Sequence, residues 1–178
     1  WTDPTVWHRC VLLDAGPDRG QQVLSAGLER CDAVRLTHNH VDHCFGLDEL
    51  RRFNVMMCGP IEIYADAPTL KAVRRVYSHI FYRASLKQDS FNATLIPHQI
   101  EHYRTFELFG LEITPITLLH GRVPIAGFRF AWAEGKAGSA GGVMPLAYCT
   151  DVSSIPPETW PHLSGLSVLV LDALRQRQ

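Results

Sequence analysis

The sequence lacks both a charge imbalance and a long apolar run. It has 17 basic and 18 acidic residues, so the formal net charge is −1. Surfaces that bind nucleic acids generally carry a basic excess, so general nucleic-acid binding is not expected. No apolar run approaches the roughly 20 residues that cross a bilayer, and no signal-peptide pattern opens the chain. We therefore expect no membrane span and no membrane partner.

The cysteine pattern does not match a disulfide framework. The five cysteines are an odd number, and no two of them form a C-x-x-C pair. We therefore expect a reduced, cytoplasmic protein. Cys44 and Cys149 lie close to the motif residues described below, which would allow a metal role. We favour the interpretation that both are small, buried, apolar side chains.

Length and patterning predict one α/β domain over residues 1–178. The chain is long enough to bury a core, and 46% hydrophobic with 20% charged residues is ordinary for a globular protein. Strands are predicted at residues 10–17, 33–37, 61–65, 93–96, 105–109, 111–119, 128–132, 144–149 and 167–175. Helices are predicted at 18–30, 47–57 and 67–83, and a glycine-rich hairpin loop at 135–142.

Three histidines and an aspartate fall within six consecutive residues. His38, His40, Asp42 and His43 directly follow the apolar strand predicted at 33–37. In extended geometry His38 and His40 point to the same side, because side chains alternate along a strand. Imidazole is the commonest metal ligand in proteins. This stretch therefore predicts a metal site, with Asp42 and His43 placed to face a second metal.

Three further polar residues end predicted strands. His120 follows the strand at 111–119 and is the natural third imidazole ligand. Asp151 follows the strand at 144–149, and we favour a metal-bridging role for it over an Asx-turn or a helix cap. Asp14 ends the first strand, where it could bond loop amides and also orient the histidines.

A second histidine motif, His98 to His102, matches the H-x-x-E-H pattern of some metalloproteases. That pattern requires a helix, so that both histidines share one face. Here it follows Pro97 and lies between strand-like segments. We therefore expect no protease site at these residues.

The motif H-x-H-x-D-H, followed by His120, Asp151 and Asp172, resembles that of the metallo-β-lactamase-fold hydrolases. Three stretches make the resemblance specific to one branch of this family: residues 43–54, 148–152 and 171–175. They are similar to the branch that contains the phosphoribosyl cyclic phosphate phosphodiesterase, a neighbour of the transfer-RNA 3′-processing endonucleases. The resemblance implies an αβ/βα sandwich, and the chain looks like a fragment that lacks the first and last strands.

The resemblance also assigns site residues. It implies that His38, His40 and His120 hold the first metal, that Asp42 and His43 hold the second, that Asp151 bridges the two, and that Asp14 orients the histidines. Zinc is expected at both sites, with manganese or iron as alternatives. Because the fragment would lack a further histidine, the second metal is expected to bind more weakly.

The expected activity is hydrolysis of a small or cyclic phosphate ester. Two divalent metals lower the pKa of a bound water, which then attacks phosphorus, with Asp42 and Asp151 as catalytic residues. Two alternatives stay open at this point. One is a lactone, thioester or β-lactam hydrolase of the same fold, and the other is a non-catalytic metal-binding domain. The oligomeric state is not predicted.

Overall fold

The computed structural model describes residues 9–82, 92–135 and 142–172. The chain divides into two compact units, Trp1–Gln99 and Ile100–Gln178. Most of the hairpin loop predicted at 135–142 lies outside the described residues, as does the end of the last predicted strand. The predicted α/β class is confirmed, because helices and two separate sheets are present.

The first unit is built on a four-stranded parallel sheet. Its strands, in spatial and chain order, are β1 (Val11–Leu13), β2 (Ala33–Arg35), β3 (Ile61–Ala65) and β4 (Leu95–Gln99). Parallel strands need long crossover connections, and helices form them here. These are α1 (Arg19–Ser25), α2 (Val41–Cys44), α3 (Arg51–Met57), α4 (Ala67–Val76) and α5 (Ser78–Phe81), with a 3₁₀ turn at Leu47–Leu50 before α3.

The core of the first unit lies on one face of this sheet. In β3 the alternation is complete, since Ile61, Ile63 and Ala65 are buried and the residues between them are partly exposed. The buried strand residues pack with Leu50 and Phe53 of the helical segments. All four strands run in one direction, so their carboxyl ends lie along one edge of the sheet. The histidine motif follows β2 at that edge.

Two predicted elements of the first unit differ from the observed ones. The helix predicted at 67–83 is broken at Tyr77, whose backbone angles of −104° and 41° are not helical. The strand predicted at 93–96 begins at Leu95 and continues through Pro97 to Gln99. The backbone of Pro97 has no donor, but β4 is the edge strand of the sheet, where proline is tolerated.

The second unit is built on a five-stranded sheet. Its strands, in spatial and chain order, are β5 (Phe106–Leu108), β6 (Leu111–His120), β7 (Val123–Trp132), β8 (Leu146–Cys149) and β9 (Val168–Leu171). All pairs are antiparallel except β8 with β9, which is parallel. The crossover between β8 and β9 contains a 3₁₀ helix, Pro157–Leu163, that the sequence patterns did not predict.

The long hairpin of β6 and β7 places His120 at its tip. His120 pairs with Val123, so only two residues form the turn. Gly121 has a φ of +63°, a left-handed conformation that glycine adopts without strain. The strand predicted at 128–132 therefore begins five residues earlier than expected. Its first two residues, Val123 and Pro124, are exposed, and a proline within an apolar run weakens the sequence signal for a strand.

Within the described ranges, no helix is long and apolar enough to cross a membrane.

Candidate metal centre

The loop of residues 37–43, here called the histidine loop, gathers three imidazoles in the first unit. The ring centroid of His38 lies 4.5 Å from that of His40 and 4.2 Å from that of His43. His38 and His43 are buried, at 4% and 9% exposed, whereas the Asp42 side chain is 75% exposed. Donor atoms of His38 and His40 lie within 4.8 Å of each other, as do those of Asp42 and His43.

Asp14 holds this loop from the end of the neighbouring strand. Its Oδ1 accepts a hydrogen bond from the Thr37 backbone N–H at 2.8 Å, and its Oδ2 accepts one from Thr37 Oγ1 at 2.9 Å. Oδ2 also lies 2.8 Å from His43 Nδ1. The predicted position of Asp14 behind the histidines is thus observed, and its carboxylate is satisfied by three donors.

The hydrogen bonds of Asp14 select the tautomers of two histidines. An ionised carboxylate only accepts, so His43 Nδ1 is the protonated nitrogen and Nε2 carries the lone pair. The single hydroxyl hydrogen of Thr37 goes to Asp14, so Thr37 Oγ1 accepts from His38 Nδ1 at 3.0 Å. His38 Nε2 therefore carries a lone pair as well. Both rings present the nitrogen that a metal requires, on the inference that the network fixes the protons.

Two glycines allow the loop to pack closely against the turn after β1. Gly46 N donates to Ala15 O at 2.7 Å, and Ala15 N donates to His43 O at 2.7 Å. A Cβ atom at Gly46 would overlap the carbonyl of Gly16, and one at Gly16 would overlap the carbonyl of Asp42. Glycine is required at both positions because of this approach, not because of an unusual φ.

In the second unit, backbone hydrogen bonds join the segments that carry His120 and Asp151. Leu119 N donates to Ser154 O at 3.0 Å, and Ser153 N donates to Leu119 O at 2.7 Å. Ligand atoms of His120 and Asp151 lie within 4.8 Å of each other. Asp151 has a φ of +55°, a left-handed conformation that aspartate tolerates better than most residues. The two predicted ligands of this unit are therefore neighbours.

The H-x-x-E-H residues have structural partners of a different kind. His98 lies on β4, where its Nε2 pairs with the Glu62 carboxylate and its ring stacks on Tyr64 at 4.8 Å. His102 Nδ1 lies 2.7 Å from Thr117 Oγ1. Since His98 is in a strand and His102 in a turn, the expectation that no helical protease motif forms here is confirmed.

Both cysteines near the motif residues are buried. Cys44 is 2% exposed and Cys149 is fully buried. Burial raises the pKa of each thiol to about 11, and at Cys44 the charges of Asp14 and Asp42 act in the same direction. Cys44 Sγ donates to His40 O at 3.1 Å. The burial of both thiols agrees with the apolar interpretation that we favoured.

Some contributors to the loop were not recognised from the sequence. Thr37 was treated only as the end of a strand, yet its hydroxyl connects Asp14 to His38. Two residues distant in sequence bond carbonyl groups beyond the loop: Tyr77 Oη donates to Cys44 O at 3.1 Å, and Arg19 donates to Gly46 O. The only sequence signal for these contacts was the position of Thr37 directly before the first histidine of the motif. Nothing in the sequence around Tyr77 or Arg19 indicated that either residue would contact this part of the chain.

Comparison with known proteins identifies one family. The family model described as "Beta-lactamase superfamily domain" matches residues 9–178. A solved diphosphatase from the PhnP family is 33% identical, with a TM-score of 0.75, over 93% of this chain and 56% of its own. The metallo-beta-lactamase fold protein YhfI from Bacillus subtilis is 18% identical, with a TM-score of 0.62, over 89% of this chain and 56% of its own.

A curated relative is named for a reaction other than that of the diphosphatase. A protein of Porphyromonas gingivalis named octanoyltransferase is 28% identical over 170 residues, which is 94% of this chain and 30% of that protein. Most of that protein therefore lies outside the matched segment. The present chain spans about a third of this relative and just over half of each solved structure named above. Together with the family match, the solved structures confirm the predicted fold class.

Proposed function

We propose that this chain, which belongs to the beta-lactamase superfamily, hydrolyses phosphate esters with the help of two divalent metal ions. The metallo-β-lactamase fold implies that a divalent metal is bound. We further propose that the chain binds two such ions, that they are zinc, and that the substrate is a phosphate ester. The observation that carries the proposal is the hydrogen-bond network around Asp14. This network engages Nδ1 of His38 and of His43, so that Nε2 of each ring carries the lone pair that a metal needs.

The donor set fits a first-row divalent metal. Neutral imidazoles with carboxylates suit zinc, and manganese or iron are the alternatives. We assign His38, His40, His120 and Asp151 to the first ion, and Asp42, His43 and Asp151 to the second. In this assignment the histidine loop supplies four ligand residues and the second unit supplies two.

Divalent ions held at such a centre supply a water of lowered pKa and a counter-charge for phosphate oxygens. The protein's own residues do the rest. Asp42 is mostly exposed, with Oδ2 3.5 Å from His43 Nε2, so its carboxylate can orient a water and accept its proton. Asp14 holds the His43 ring in position through Nδ1. Asp151 would supply its carboxylate to both ions and would offset part of their charge.

A small substrate fits the composition better than a polynucleotide. The net charge of −1 provides no basic excess to hold a nucleic-acid backbone. The 33% identical solved relative is described as a diphosphatase, which supports a phosphorus-centred reaction. We therefore propose a small or cyclic phosphodiester, or a diphosphate, as the substrate class. A cytoplasmic location remains a proposal that rests on the five cysteines, whose pattern gives no disulfide framework.

The test compares ester classes on the full-length protein loaded with zinc or manganese. The substrates are bis(p-nitrophenyl) phosphate, a diphosphate ester, a lactone, an octanoyl thioester and a chromogenic β-lactam. We expect turnover of one or both phosphorus esters, lost in His38→Ala and retained in the matched variant His98→Ala. Faster turnover of a carbon-centred ester would overturn the substrate class. Metal binding without any turnover would instead favour a non-catalytic domain.

A further inference from the structure

A one-turn helix carries two of the residues that we assign to the second ion. Helix α2 (Val41–Cys44) has only four residues, and Asp42 and His43 are two of them. So short a helix is not stable alone, because ordering the first turn costs more than its few hydrogen bonds return. The carbonyl groups at the end of a helix also lack partners within it. Contacts from other segments must therefore hold α2 in place.

A buried tyrosine provides such a contact. Tyr77 is 6% exposed, and its Oη donates to Cys44 O, the last carbonyl group of α2, at 3.1 Å. Burial raises the pKa of this phenol to about 12, so the hydroxyl keeps its proton and remains a donor near neutral pH. Cys44 directly follows His43 in the chain. The bond therefore fixes the backbone one residue beyond a proposed ligand.

The backbone of Tyr77 is itself held on both sides. Tyr77 lies between α4 and α5, where its N–H donates to Val73 O at 2.9 Å and its carbonyl accepts from Ile80 N at 2.9 Å. Its ring packs edge-on against Phe45, with the ring centroids 6.5 Å apart. The hydroxyl of Tyr77 therefore has a defined position against the end of α2.

Tyr77 and Asp14 hold different parts of the histidine loop. Asp14 bonds the backbone and the hydroxyl of Thr37, which precedes His38, and it also contacts the ring of His43. Tyr77 acts at the other end of the loop, on a residue 33 positions away in the chain. Loss of the Tyr77 hydroxyl should therefore disturb α2 and leave His38 in place.

We infer that Tyr77 is a positioning residue for the second metal ion and acts through Cys44 on the helix that carries Asp42 and His43. The inference rests on the proposed function, because that function assigns these two ligands to the second ion. Without the hydroxyl, the buried carbonyl of Cys44 loses a donor, which favours displacement of α2. Binding of the second ion would then have to order the helix again, so its affinity should fall.

The variant Tyr77→Phe tests the inference, because it removes the hydroxyl and keeps the ring beside Phe45. The matched variant is Tyr103→Phe, which removes a hydroxyl that lies 2.9 Å from Thr159 Oγ1 in the second unit. Competition with a zinc chelator, on the full-length protein, measures the affinity of each ion. Hydrogen exchange of residues 41–46 in the metal-free protein measures the order of α2 without metal or turnover.

We expect Tyr77→Phe to weaken the second ion by about tenfold, as supporting residues do, and to change the affinity of the first ion by less than about threefold. Exchange over residues 41–46 should become faster by about fivefold or more, because the turn opens more often. Tyr103→Phe should lower the denaturation midpoint by a similar amount, yet leave both metal affinities and this exchange unchanged. A purely structural role of Tyr77 would not produce that difference.

Three results in Tyr77→Phe would overturn the inference: unchanged exchange over residues 41–46, an unchanged affinity for the second ion, or an equal loss of both ions. A parent protein that binds fewer than two zinc ions would instead overturn the two-metal proposal. The exchange of residues 41–46 would still decide, in that case, whether Tyr77 holds α2.

Discussion

The two units bring their candidate ligands together by different means. In the first unit, four of them lie within six residues, and Asp14 reaches them from an adjacent parallel strand. In the second unit, His120 and Asp151 are far apart in sequence and are joined through backbone bonds between Leu119 and the 153–154 segment. In a parallel sheet all strands end at the same edge, so polar residues that follow the strands come together there. In a mostly antiparallel sheet neighbouring strands end at opposite edges, so backbone hydrogen bonds between the two segments are needed to hold such residues together.

The largest effect is expected within the histidine loop. His38→Ala removes a buried imidazole that Thr37 orients, so zinc affinity should fall by well over the roughly 10–100-fold typical of a supporting residue. His98→Ala, the matched control in the same unit, should leave zinc content unchanged because His98 pairs with Glu62. Elemental analysis after dialysis measures both. Equal zinc loss in the two variants would contradict the assignment of His38.

A substitution of one residue in the second unit, Asp151, should have nearly as large an effect on metal binding and activity. Asp151→Asn keeps a side chain that tolerates a φ of +55° but removes the charge proposed to bridge two ions. We expect about 100-fold or greater loss of phosphodiester hydrolysis and weaker binding of both metals. Steady-state kinetics across a zinc titration measures this. A variant with normal turnover would show that the second unit's carboxylate is dispensable.

A smaller effect should separate the two histidines that Asp14 supports. Thr37→Val removes the hydroxyl beside His38 but leaves the bond from His43 to Asp14, whereas Asp14→Asn perturbs both. We expect Thr37→Val to weaken the first metal about tenfold and to spare the second. Asp14→Asn should weaken both by roughly 10–100-fold.

Competition with a zinc chelator resolves these two affinities. The outcome that contradicts the tautomer argument is a Thr37→Val protein whose two metals are both held as in the parent. Thr37→Ser restores the hydroxyl and should restore the first site.

The smallest expected effect concerns a cysteine of the second unit. Cys149 is fully buried among apolar residues, so Cys149→Ala should lower the free energy of unfolding by about 1–2 kcal/mol. Metal content should stay the same, because the thiol is fully buried among apolar side chains of the second unit. Urea denaturation and elemental analysis test the two statements. Loss of zinc in this variant would assign Cys149 a role as ligand.

Much of the fold and the identity of the candidate site residues could be predicted from local pattern. The strand before His38 and the alternation in β3 are short-range signals, and each produced the expected strand. The H-x-H-x-D-H spacing identified residues that are neighbours in sequence and also in space. Asp14 was predicted because it ends an apolar strand, which is a local signal too.

The rest depends on contacts that no local pattern records. The break at Tyr77 accompanies a hydrogen bond from its hydroxyl to Cys44 O, a residue far away in the chain. Gly46 looks like an ordinary loop glycine until the carbonyl of Gly16 is found against it. The burial of Arg19 and its bond to Gly46 O likewise depend on a residue 27 positions away, and no motif marks them.

The central claim is that the histidine loop, His120 and Asp151 together hold two metal ions. Anomalous diffraction at the zinc edge, from crystals of the zinc-loaded full-length protein, tests it most directly. We predict two anomalous peaks, one bounded by His38, His40, His120 and Asp151 at about 2.0–2.2 Å, and one bounded by Asp42, His43 and Asp151. A peak elsewhere, or a first ion without His120 or Asp151 among its ligands, would contradict the account.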